Sequence, residues 1–427
     1  MSISSDRISA VVRVRLVLPC IFLMLLSSLD RVNISFAALT MNRDLGLSPA
    51  EYGSAAGIFF VGYLVGQLPS VLLQRHIGMR LWVGICTLIW GLSATGMAFI
   101  HTADELWILR IVLGLAEGGL APGIVLYLSQ WSTESERART FAWPMLAIPI
   151  SAIFGAPLSG WLLESAPAIG FANWRWMFLI EGLPTIAAGI AAFFYFPNSP
   201  REAKWLTANE RQWLRDHSAL RTPESAADAH SFAALRDPLV WASSSVWFLL
   251  LAGSNGVIFW LPQVVQHATG LDAFTVSLIS AVPWIGAAIG MLLNSWHSDR
   301  TRERFWHLAI PASIAGVAIA LPAAIDAPSM AVVALFVAGL GYGAAQGAFW
   351  ALPTHYLDSR TMTVGVATIN IAGSTAGLIV PRLIGSVRET TGAFDLPIYL
   401  IASMLMAAAL VVILIRWSVA QHSNGAT

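Results

Sequence analysis

Apolar stretches of about twenty residues recur along the chain, separated by short polar segments, and this alternation is the strongest signal in the sequence. A helix rises about 1.5 Å per residue, so roughly twenty apolar residues cross the ~30 Å hydrocarbon core of a bilayer. Twelve such stretches are read at approximately 16–39, 52–74, 81–100, 105–130, 141–163, 175–196, 240–266, 274–296, 306–324, 329–352, 361–385 and 397–417. The one long interruption, Pro197 to Pro238, is polar and basic and has no apolar run. The pattern predicts an all-α membrane protein with twelve transmembrane helices in two six-helix, pseudo-symmetric bundles. The expected domains are an N-terminal bundle over 1–196, a cytoplasmic linker over 197–238 and a C-terminal bundle over 239–427. Within the linker, Ser199-Pro200-Arg201-Glu202 and Thr207-Ala208-Asn209-Glu210 both carry the capping-box spacing. They predict two short amphipathic surface helices with Trp205, Leu206, Trp213 and Leu214 turned inward, followed by a flexible stretch from Ser218 to His230.

The two halves share landmarks at one offset. Gly114 and Gly118 recur as Gly339 and Gly343, Pro157 as Pro381, and Gly66 as Gly290, all 224 or 225 positions on. Parallel repeats of this kind, with a substrate site near the midplane, are a transporter architecture.

Composition agrees with the pattern: 56% of the 427 residues are hydrophobic and only 11% charged, and the net charge is zero, so no basic surface points to nucleic acid. Arginine is concentrated in the segments on one side: Arg7, Arg13, Arg15, Arg75, Arg80, Arg137, Arg139, the linker, Arg300, Arg302, Arg304, Arg360 and Arg416. Arg43, Arg175, Arg382 and Arg388 fall on the other. By the positive-inside rule both termini are cytoplasmic, and the first span is read as an uncleaved helix. Cys20 and Cys86 lie inside predicted spans, where they read as small core residues and not as a disulfide or a metal site.

The charges inside the spans carry the chemistry. Asp30 and Arg31 sit in the middle of the first apolar run, where a charge costs at least ~2.5–3.5 kcal/mol on insertion scales and persists where it meets a partner, an ion or a substrate. In the fourth span, Arg110 and Glu117 are seven residues apart with small residues between, so both fall on one helix face. At the equivalent offsets the second half is neutral, with Asn255, Gly256, Leu335 and Tyr342. A fixed Arg can hold a carboxylate, while a carboxyl near it can take up and release a proton. That division of labour suits proton-coupled uptake of an anion.

At this point several segments together carry a family resemblance: Leu29-Asp30-Arg31-Val32-Asn33-Ile34, Arg110 to Gly118, Gly155-Ala156-Pro157-Leu158-Ser159-Gly160, Trp174 to Gly182, Phe259-Trp260-Leu261-Pro262 and Phe349-Trp350-Ala351-Leu352-Pro353-Thr354. The chain resembles the anion:cation symporters of the major facilitator superfamily, near the tartrate, 4-hydroxyphenylacetate and phthalate permeases of bacteria. The resemblance implies a proton symporter of a small organic carboxylate in the inner membrane, working as a monomer by alternating access without a cofactor. By resemblance, Arg31 meets the substrate carboxylate, Asp30 and Glu117 are the protonatable acids and Arg110 couples to them. Tyr63, Asn255, Trp260, Trp350 and Asn370 are expected around the substrate, and Asp299, Arg300 and Arg304 form a conformational latch between spans eight and nine.

The sequence departs from that pattern in spans seven, eight and eleven: Asn255 stands where Tyr is more usual, Trp284 follows Pro283 where Tyr is usual, and Ser374 replaces a second Asn. These changes remove hydroxyl and amide groups and favour a less hydroxylated or aromatic carboxylate. A Na+-coupled or uncoupled carrier and a non-transporting sensor are the alternatives. No nucleotide loop, nucleophile elbow or metal-ligand spacing points to an enzyme. Among the Trp residues, Trp82, Trp107, Trp131, Trp174, Trp176, Trp306 and Trp417 fit an interfacial belt. His297, His307 and His355 are expected near the cytoplasmic side, in gate or loop roles.

Overall fold

A computed structural model describes residues 5–133, 136, 140, 143–144, 147–165, 170, 172–218, 232–324, 328–353, 357 and 361–424. Among the described residues, eleven helices are long and apolar enough to cross a membrane. The longest, Pro49–Phe99, contains a break at Gly78, whose φ of 81° and ψ of 167° no helix tolerates, so it supplies two spans and the count reaches twelve. We label the spans α1 (Leu18–Asp44), α2 (49–77), α3 (79–96), α4 (Ala103–Glu117, continued by Leu120–Leu128), α5 (Ala147–Ser165), α6 (Asn173–Tyr195), α7 (Pro238–Thr269), α8 (Ala273–Thr301), α9 (Trp306–Ala324), α10 (Pro328–Phe349), α11 (Met362–Thr391) and α12 (Asp395–Asn424).

The helix ends follow their local chemistry. Thr102 caps α4 through a reciprocal box with Glu105, and Asp237 followed by Pro238 opens α7. Asp272 caps α8 by accepting from the Thr275 N–H and hydroxyl, which push its carboxyl down to about 2. Gly270 and Gly392 close α7 and α11 in the left-handed conformation that glycine adopts without steric cost.

Only one of the two expected linker helices is found. Thr207 and Glu210 form the capping box of a helix over Ala208–His217. At Pro200–Glu202 the chain makes a single 3-10 turn without a side-chain cap, because Glu202 is drawn instead to Arg80 and to the Asn198 N–H. Leu206 and Leu214 turn inward and Trp205 stacks on Trp131 at 5.6 Å. The stretch Ser218 to His230 lies, beyond its first residue, outside the described residues, as do Arg137, Arg139, Arg360 and His355.

Three of the tryptophans expected at the interfacial belt are core residues. Trp82, Trp131 and Trp174 are buried, whereas Trp306 and Trp417 are exposed. Trp82 fits because Gly119 and Gly123 leave room for its ring and Ser70 accepts its indole N–H at 2.8 Å.

Packing divides the chain into two compact units, Met1–Asn33 with Ile58–Gly155 and Ser165–Glu224, and Ile34–Gly57 with Ala156–Glu164 and Ser225–Thr427. In the first unit, α2 and α4 meet backbone to backbone: a Cβ on Gly62, Gly66, Gly114 or Gly118 would stand 2.0–2.4 Å from a carbonyl oxygen of Ile111, Leu115, Phe59 or Tyr63. In the second unit, α8 and α10 repeat the arrangement with Gly286, Gly290, Gly339 and Gly343 against Phe336, Leu340, Pro283 and Ala287. Each pair recurs at the sequence offset, Gly62 on Ile111 becoming Gly286 on Phe336. The internal repeat is therefore a repeat of contacts. Small residues allow this approach, which lets helices pack where lipid offers no hydrophobic drive for their association.

The second unit also holds the outer part of α1 and the start of α2. Gly53 and Gly57 lie against the carbonyls of Pro381 and Leu378, and the Tyr52 hydroxyl donates to the Phe259 carbonyl at 2.7 Å.

Because the atoms met by an added methyl are backbone, Gly114→Ala and Gly339→Ala should each lower stability by about 1–3 kcal/mol, the usual cost of overpacking. Gly96→Ala, where the nearest atom would be a Leu109 methyl at 3.5 Å, should be neutral or slightly stabilising. Unfolding of the three purified variants in detergent, followed by size-exclusion fluorescence, checks the contrast.

Candidate functional site

The ionisable groups of the first unit divide between two faces of α1. Successive helical residues point about 100° apart, and Asp30 and Arg31 use that angle to face different neighbours. Arg31 Nη2 meets Glu117 Oε2 of α4 at 3.0 Å. The same carboxylate oxygen accepts from the Ser27 hydroxyl at 2.9 Å, one turn before Arg31. Glu117 is sealed, while the Arg31 side chain retains about 30% of its exposure, so Arg31 is the less enclosed member of the pair.

Aromatic rings of α2 hold the guanidinium in place. Its central carbon lies 5.2 Å from the Phe59 ring centroid and 5.1 Å from that of Tyr63. Arg110 packs against Phe59 from α4 at 4.9 Å and donates to the Arg31 carbonyl at 3.4 Å. Two arginines thus share one ring, a cation–π arrangement that gains strength away from water. Arg110 is completely buried.

Asp30 faces the interior of the unit and is also completely buried. Its Oδ2 accepts from the Trp90 indole of α3 and the Thr185 hydroxyl of α6, both at 2.9 Å. Its Oδ1 has no hydrogen-bond partner among the described residues, and neither does Oε1 of Glu117. Each acid therefore keeps one carboxyl oxygen occupied and one open, which is the geometry of a group able to hold a proton. No group of three His, Cys, Asp or Glu able to bind a metal is found among the described residues.

The remaining candidates lie in the second unit. Asn255 is buried in α7, donating to the Leu251 carbonyl at 2.7 Å. Trp350 packs edge-on against Trp247 and Phe349, both at 5.2 Å. Asn370 is exposed on α11 and donates to the Val366 carbonyl at 3.3 Å. Trp260 is buried, its indole N–H donating to the Pro381 carbonyl at 3.2 Å and its ring meeting Tyr52 edge-on at 5.1 Å. Tyr342, at the repeat position of Glu117, is hydrogen-bonded with Ser254.

Beyond α8, Arg304 bonds Asp299 at 2.7 Å and the Ser298 hydroxyl at 2.9 Å, closing the loop on itself, while Arg300 lies over Trp296 at 5.8 Å. In the same loop partial burial opposes ionisation of Glu303. The N–H groups of Trp306 and His307 and the His307 side chain outweigh it and hold the carboxyl below the ordinary range. His307 also meets His297 at 2.6 Å.

Sequence reasoning missed Ser27, Phe59, Trp90 and Thr185. Ser27 had a usable signal, since it lies four residues before Arg31 and so on the same helix face. Trp90 and Thr185 carried none, because each is a common residue in an apolar span.

The profile described as Major Facilitator Superfamily matches residues 20–381. A protein of Agrobacterium vitis named "Putative tartrate transporter" is 39% identical over 401 residues, covering 93% of this chain and 89% of that one. The Escherichia coli K12 protein named "Inner membrane transport protein RhmT" is 36% identical over 402 residues, covering 94% and 92%. Among solved structures, a bacterial homologue of the human lysosomal transporter Spinster superposes with a TM-score of 0.79 at 16% identity, covering 94% of this chain and 96% of that one. A D-xylose-proton symporter superposes at 0.74 and 16%, covering 93% and 96%. At these identities the structural likenesses speak to the fold alone.

The hydrogen bonds to Asp30 give the site's first test. Trp90→Phe and Thr185→Val should each lose on the order of 1–2 kcal/mol of stability in the wild-type background and less in Asp30→Asn, where the carboxyl that accepts from them is replaced by an amide. Double-mutant cycles from unfolding in denaturing detergent read this coupling; strictly additive losses would mean that the two donors stabilise the fold independently of the Asp30 carboxyl.

Proposed function

The chain belongs to the Major Facilitator Superfamily and is a multi-pass membrane transporter, not an enzyme; from that premise we propose that it takes up a small organic carboxylate by proton symport through alternating access. The observation that carries this reading is the ion pair between Arg31, whose side chain is part-exposed, and the sealed Glu117 carboxylate. A substrate carboxylate reaching Arg31 competes with Glu117 for the same planar donor fork. If a proton occupies Glu117, Arg31 is released to the anion; if the proton leaves, Glu117 reclaims it. Proton and substrate are then coupled through one arginine, and their shared departure restores the resting pair.

Asp30 acts in this scheme as a second proton-holding group, coupled to the first through α1, while Arg110 fixes the position of Arg31 through its carbonyl and through Phe59. Tyr63 walls the guanidinium, and Asn255, Trp260, Trp350 and Asn370 are assigned to the second half's contribution to substrate selection. The two six-span halves, 1–196 and 239–427, are the bodies that move, the 197–238 segment is their cytoplasmic linker, and Asp299, Arg300 and Arg304 bias the equilibrium between conformations. The arginine asymmetry supports cytoplasmic termini and the bacterial relatives support an inner-membrane location; the protein is taken to act as a monomer.

Radiolabelled uptake of organic acids into proteoliposomes under an imposed pH gradient tests the reading: a proton symporter concentrates its substrate, a uniporter only equilibrates it and a sensor does neither. Arg31→Lys should reduce uptake by at least ~10-fold, since a point charge lacks the planar fork. Asp30→Asn and Glu117→Gln should retain substrate counterflow while losing pH-driven accumulation. If both amide variants still concentrate substrate, the proton is carried elsewhere.

A further inference from the structure

A basic cavity lies in the second unit, at the end of the helices opposite the linker. It has a volume of about 340 Å³ and is lined by Asn42 and Arg43 at the end of α1, by Gln263, Gln266 and His267 at the end of α7, and by Arg388 at the end of α11. We propose that this cavity is a docking site for the small organic carboxylate, a place of capture separate from Arg31.

The lining is matched to an anion. It contains two guanidiniums, an imidazole and three amides, and none of its residues is acidic. Arg43 approaches Asp44 only at 3.9 Å, and no ion pair engages Arg388 among the described residues. The neighbouring carboxylate of Glu389 is turned to the Ala50 N–H at 3.0 Å.

Arg388 is also held in position. Its guanidinium carbon lies 4.3 Å from the Phe394 ring centroid, and His267 meets the same ring at 5.3 Å. Trp260 supplies a further wall of the cavity, which gives this buried tryptophan a surface role apart from Arg31. Below the charges, the Asn42 amide donates to Gln263 Oε1 at 3.3 Å, and that single bond leaves Gln263 Nε2 and Asn42 Oδ1 buried without partners. A buried amide N–H left open is costly, and a carboxylate oxygen would satisfy it. The volume suits a small acid with its water, toward the lower end of ligand pockets.

The two sites are distinct. Every residue that lines the cavity belongs to the second unit, whereas Arg31 and Glu117 belong to the first. A cluster of positive charge at a concave mouth raises the local concentration of anions and their rate of encounter. The cavity would thus hold substrate before it reaches Arg31.

This inference rests on the carboxylate reading above, and the test separates the two. In a chain with Cys20→Ala and Cys86→Ala, Leu47→Cys at the cavity wall provides a thiol whose labelling by a cationic methanethiosulfonate can be timed in phosphatidylcholine nanodiscs. Succinate, L-tartrate and benzoate are the probes. At least one should slow labelling five- to tenfold where sodium chloride of equal ionic strength does not. The protection should survive Arg31→Gln, vanish in Arg388→Gln and return in part in Arg388→Lys, which restores charge and reports that the fold is intact. Protection that vanishes with Arg31→Gln but survives Arg388→Gln overturns the inference, as does protection by none of the acids. Slowed labelling only when phosphatidylglycerol is added assigns the cavity to lipid headgroups and also overturns it. Accumulation of an acid by proteoliposomes without protection of the thiol defeats the docking site and leaves the transport reading standing; protection that depends on Arg388 without accumulation does the reverse.

Discussion

A guanidinium at membrane depth has to be balanced, and in this chain Arg31 is balanced by Glu117. The cost of burying either group alone is several kcal/mol, and a pair at good geometry recovers it only when the remaining donors and acceptors are also served. Ser27 serves the carboxylate, and the rings of Phe59 and Tyr63 serve the cation. The pair also fixes what α1, α2 and α4 must do. α1 must bring Arg31 to α4, and α2 must lie close enough for its aromatics to cover the charge. The glycines of α2 and α4 make that closeness available, since any Cβ at Gly62, Gly66, Gly114 or Gly118 would collide with the facing backbone.

The repeat of those glycines in α8 and α10 separates scaffold from chemistry. Both units use the same backbone contacts, residue for residue at the sequence offset, but only the first carries an ion pair on them. At the repeat position of Glu117 the second unit has Tyr342, bonded to Ser254. A duplicated framework has been kept where packing demands it, and among the described residues the ion pair on that framework is found in the first copy.

Asp30 belongs to the interior of its unit. Through Trp90 and Thr185 it ties α1 to α3 and α6, so a change in its charge acts on helix packing as well as on electrostatics. That ties the packing of α1 to the state of the Asp30 carboxyl, one residue before Arg31 on the same helix.

The sequence by itself determined the membrane class, the span count, the internal repeat and the identity of the intramembrane charges, because each is written as run length, offset or a residue too costly to be incidental. It also located one real linker helix from the Thr207 to Glu210 box. It did not separate Asp30 from Arg31, since adjacency in sequence says nothing about which of two faces each residue takes. It treated Trp82, Trp131 and Trp174 as interfacial because they stand near span ends, whereas Gly119 and Gly123, in another helix, make the recess that takes Trp82 into the core. It expected a helix at Pro200, where Arg80 and Asn198 draw Glu202 away from the cap. Trp90, Thr185 and Phe59 became visible only when helices far apart in sequence were brought together. Periodicity and composition are local quantities; which partner answers a buried charge is decided by tertiary packing, and only the folded chain contains it.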